Sequence, residues 1–146
     1  LYDKFNYIRN GSNWNTFMKN LRFVKQNTNF DIRVNTVFSV INAIDICNLI
    51  KFFYFEEQIQ DITINLLYSP KEIDSRNYPS NKKEKIVNDI KELINTISTK
   101  HINLINNLKN CINQMQLDNE YEYNNCLDSI TKSHTKKWQL IFEDLV

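Results

Sequence analysis

Residues 30–42 read FDIRVNTVFSVIN, a run dense in β-branched and aromatic side chains. Alternation divides it into two faces. Phe30, Ile32, Val34, Thr36, Phe38 and Val40 form a mostly apolar face; Asp31, Arg33, Asn35, Val37, Ser39 and Ile41 form a mixed one. Downstream, Ile46, Leu49, Ile50 and Phe53 recur at helical spacing over residues 44–58, with turn and cap chemistry from Asn42 and Asp45. Residues 61–68 then repeat the strand pattern. Ile62, Ile64, Leu66 and Tyr68 point one way, Thr63, Asn65 and Leu67 the other, and Pro70 ends the run. Strand, helix, strand over 30–68 predicts two parallel strands joined by a right-handed crossover. Two strands leave their own edges unsatisfied, so the sheet reads as unfinished.

The 42% apolar and 24% charged content of these 146 residues is that of a globular chain. A net charge of +1 removes the electrostatic argument for nucleic-acid binding or a polybasic membrane anchor. No run approaches the roughly 18 apolar residues of a membrane span, and no signal-peptide pattern opens the chain. The expected compartment is the cytoplasm. The 23 Asn beside one Gly and two Pro are what an AT-rich gene would encode.

Upstream of the first strand, Ser12 or Asn13 can cap a helix over about 13–26, whose apolar stripe is Trp14, Phe17, Met18, Leu21 and Val24. After a polar loop at 69–81, residues 82–117 lack Gly and Pro and predict one long helix, with Thr96–Thr99 the place for an interruption. Ile90, Ile94, Ile97, His101, Leu104, Leu108, Cys111 and Met115 form a heptad seam that should pack lengthwise on another helix. A turn at 118–125 and a last helix at about 126–145, with Trp138 and Phe142 as packing residues, could supply that partner.

Candidate chemistry is sparse. Cys47, Cys111 and Cys126 have no metal-nest spacing, and His101 and His134 are too few for a metal cluster. A single glycine excludes a phosphate loop. No catalytic residue and no metal ligand is assigned. What remains is the mixed strand face. Arg33, Asn35, Ser39, Thr63 and Asn65 either line a ligand cavity, as inside a barrel, or are satisfied by neighbours on an open sheet.

YIRNGSNW at residues 7–14, followed by Asn20-Leu21, resembles a stretch of radical S-adenosylmethionine proteins of the twitch-domain type, where it follows the fourth barrel strand. IRVNTVFSVIN at 32–42 resembles that family's fifth strand, and TINLLYSP at 63–70 its sixth. The resemblance covers residues 1–70 and implies an α/β fold. That fold would be a partial (β/α) barrel of two parallel strands with helices (1–70) followed by a helical C-terminal tail (71–146). The family's CxxxCxxC, which holds a [4Fe–4S] cluster, has no counterpart here, and neither do the first four strands. The implied chain is therefore the C-terminal half of such an enzyme, inactive without the missing N-terminal half of the barrel.

For the full family the implied cofactors are S-adenosylmethionine and [4Fe–4S]. By the same resemblance Arg9 can approach the carboxylate of S-adenosylmethionine, Asn35 and Ser39 its adenosyl part, and Asn65 the substrate side. The resemblance leaves the substrate open. The reading from another class is a non-enzymatic interaction protein that binds a partner through the 90–115 seam.

Overall fold

The computed structural model describes residues 5–6 and 11–119 and is mixed α/β, with two parallel strands. The described residues fall into two compact units, one up to residue 32 and the other from residue 33 to 119.

In the first unit, α1 spans Trp14–Asn27. Gly11 stands at φ +82, a left-handed turn that glycine adopts without a Cβ penalty. Asn13 is the N-cap, its side chain accepting from the Thr16 amide at 3.0 Å. Asn6 Oδ1 takes the Trp14 amide at 2.8 Å, and the Phe5 ring meets Trp14 edge-on at 5.1 Å. Trp14 and Met18 are buried, Leu21 and Val24 half-buried, and Phe17 lies at the exposed margin of the stripe.

In the second unit, β1 (Val34–Phe38) pairs in parallel with β2 (Ile62–Leu66), with Val34 opposite Ile62 and Phe38 opposite Leu66. The Val34 amide donates to Asp61 at one end of the ladder, and the Leu67 amide to Phe38 at the other. Both strands are shorter than the patterned runs. Because register and parity agree, Val34, Thr36, Phe38, Ile62, Ile64 and Leu66 share one face. Phe38, Ile62 and Ile64 are buried.

The crossover is a 3₁₀ turn (Ala43–Asp45), a short helix α2 (Ile46–Lys51) and a π-helical turn (Phe52–Glu56). The Glu57 amide reaches Phe52 O, five residues back. Gln58 then takes φ +55 and turns the chain toward β2. Ile46, Ile50, Phe53 and Ile59 bury the crossover's apolar side.

The helix expected at 82–117 is interrupted where Thr96–Thr99 marked the place, giving α3 (Ser80–Thr96) and α4 (Ile102–Met115). Ile97 and Ser98 leave helical geometry at ψ 133 and 136, and the Thr96 hydroxyl bonds back to Leu93 O at 2.7 Å. β-Branched and hydroxyl residues in succession hold a helix poorly, which explains the break. The helices run antiparallel: Lys83 Nζ donates to Leu117 O at 2.7 Å, and Asn119 reaches Tyr78 O at 3.3 Å. Ile90, Ile97, Leu104, Leu108, Cys111 and Met115 of the seam are buried, Ile94 and His101 half-buried. The seam therefore folds back on itself instead of running along one helix. Its expected partner at 126–145, with Trp138 and Phe142, lies outside the described residues.

α4 also lies along β2. The Ile64 amide, on the β2 edge away from β1, donates to Asn107 Oδ1 at 2.6 Å. The expected division at residue 70 thus runs through the second unit, in which β2 and α4 pack together.

Candidate functional site on the uncovered sheet face

The second sheet face carries Asn35, Val37, Thr63 and Asn65. Asn35, Val37 and Asn65 are exposed, Val37 by 42%, and Thr63 is half-buried. The polar alternation of the sequence thus reports a face that no helix among the described residues of this unit covers, whereas parallel sheets usually have both faces covered.

Register sets the geometry on that face. Asn35 stands opposite Thr63, and Val37 opposite Asn65, so the two asparagines are diagonal neighbours. Asn65 Nδ2 donates to Asn35 Oδ1 at 2.6 Å. That bond leaves the Asn35 amide nitrogen as a donor and Asn65 Oδ1 as an acceptor, with no other partner among the described residues. Toward the amino ends of the strands, Arg33 Nε pairs with Asp61 Oδ2 at 2.7 Å; both side chains are more than half exposed, so the pair contributes little stability.

The edge of β1 away from β2 is open. Asn42 Nδ2 takes Val37 O at 2.6 Å, while the backbone N–H groups of Asn35 and Val37 have no partner among the described residues. The other edge differs, because there Asn107 supplies the acceptor for Ile64.

Ser39 does not join this face. Alternation places it beside Asn35 and Val37, but the ladder ends at Phe38 and the chain turns. The Ser39 amide donates to Asn42 Oδ1 at 2.9 Å and its hydroxyl to the same oxygen at 3.2 Å. The Ile41 amide reaches Ser39 Oγ at 3.3 Å, and Ser39 is buried. Its polar atoms are spent on closing a turn. Arg9 lies outside the described residues.

Sequence reasoning missed a buried polar cluster beyond β2. Asp74 is 0% exposed and caps the 3₁₀ turn Ser75–Asn77 through the Arg76 amide at 2.9 Å. It also accepts from Arg76 Nε and Nη2 at 3.0 Å each, and from Gln114 Nε2 on α4 at 2.8 Å. Asn77 Nδ2 donates to Lys71 O at 2.8 Å, and the Val40 amide to Ile73 O at 3.0 Å. The loops at the carboxyl ends of both strands are thereby joined to each other and to α4. Asp74 followed by Ser75 was the local signal, a turn-starting aspartate. Ser75 Oγ is buried without a hydrogen bond among the described residues.

Cys47 and Cys111 are free and buried, and burial pushes their thiols up to about 11 and about 12. Thiols held protonated are poor metal ligands. Among the described residues no group of three His, Cys, Asp or Glu could hold a metal ion. His101 meets the Tyr54 ring edge-on at 5.3 Å, a packing role. Among the described residues no helix is long and apolar enough to cross a membrane.

Compared with family models, curated proteins and solved structures, the chain matches none.

Proposed function

We propose that this chain is the C-terminal part of a (β/α) barrel of the radical S-adenosylmethionine type, completed by an upstream half that carries the cluster ligands. The observation that carries the reading is the asymmetry of the sheet. Helices cover one face of two parallel strands, the opposite face bears Asn35 and Asn65, and the β1 edge has amides without a partner among the described residues. A segment of a (β/α) barrel has this form, with helices outside, a side-chain-lined lumen inside and a further strand at the edge. The YIRNGSNW stretch supplies the family.

In this reading the iron–sulfur chemistry belongs to the upstream half. The part of this chain is to close the barrel and bind. Asn35 and Asn65 present an amide donor and acceptor to the nucleoside portion of S-adenosylmethionine or to substrate, and Arg9 offers a guanidinium to the carboxylate. Ser39 acts one step back, holding the turn at the end of β1.

The interaction-protein reading draws less support, because the seam meant to bind a partner is largely buried within this chain.

Anaerobic iron and sulfide reconstitution tests the proposal. Residues 1–146 alone should retain no cluster. The same residues fused to an upstream half bearing CxxxCxxC should retain roughly four irons and bind S-adenosylmethionine, more weakly after Arg9→Ala or Asn35→Ala. Four irons on residues 1–146 alone would overturn the assignment, as would a coding sequence upstream of Leu1 with no such motif.

A further inference from the structure

We draw no further inference here: the strongest candidate, the uncovered sheet face of Asn35, Val37, Thr63 and Asn65 with the open backbone edge of β1 beside it, belongs to the site already described, and nothing in the structure shows what else covers it.

Discussion

The backbone amide of Ile64 donates to the side-chain oxygen of Asn107, 43 residues further along the chain, at 2.6 Å. Ile64 is 6% exposed, so this amide has little access to water. The bond makes α4 the guard of one sheet edge.

Removing the acceptor should therefore be costly. Asn107→Leu leaves a buried amide unpaired, and about 1–3 kcal/mol of stability should be lost. Asn107→Asp keeps an oxygen in place and should retain more of it. Urea unfolding of the two variants checks this; equal stability of Asn107→Leu and the parent chain would show that water, not Asn107, satisfies Ile64.

The seam gives a second expectation. Leu104 is 2% exposed and lies on α4, which packs against both α3 and β2. Leu104→Ala should cost about 2–5 kcal/mol, the range for buried leucine truncation. Ile102 on the same helix is 52% exposed, and Ile102→Ala should stay within about 0.5 kcal/mol. Similar denaturation midpoints for the two variants would mean that the helix face is assigned wrongly.

These expectations show what the sequence carries and what it does not. Strand pairing was legible because residues 31–37 and 62–66 alternate, and parity survives in a parallel, in-register pair. The seam was legible as a set of buried positions and the break at Thr96–Thr99 as the place of an interruption, but not the turning back of α4 onto α3. Ile97 stays buried after leaving helical geometry, so the apolar spacing runs through the break unchanged. Ser39 was misplaced because alternation carries no mark of where a ladder stops; the Asn42 side chain decides that. The partners of Asp74 and Ile64, Gln114 and Asn107, are 40 and 43 residues away, and no local pattern points to them.

Asp74 should be among the least replaceable polar residues. Its carboxylate is out of reach of water and accepts from Arg76 and Gln114. Asp74→Ala would remove the buried carboxylate that Arg76 and Gln114 share, and breaking a buried pair in this way costs about 3–5 kcal/mol. The Arg76 side chain is 26% exposed, which places the loss at the lower end. Gln114→Ala removes one neutral donor to a charged group, and about 1.5–3 kcal/mol should go with it. Thermal unfolding of both variants should rank Asp74→Ala as the more damaging; the reverse order would make Gln114, not the carboxylate, the centre of the cluster.

The buried thiols make stability depend on pH at the alkaline end. A thiol is neutral when protonated, and burial raises Cys47 and Cys111 from 9.0 to about 11 and about 12. The folded state therefore holds the proton more tightly than the unfolded chain. The resulting stability is fully present below pH 9.0 and is lost as pH rises through 11 and 12. The urea midpoint should accordingly fall above pH 9.0, and less steeply in a Cys47→Ala, Cys111→Ala double variant. At about pH 8 both thiols should resist iodoacetamide in the folded chain and react once it unfolds, because the thiolate is the attacking species. Rapid labelling of either cysteine in the folded protein would show that its side chain reaches solvent and that the core around α2 and α4 is packed differently.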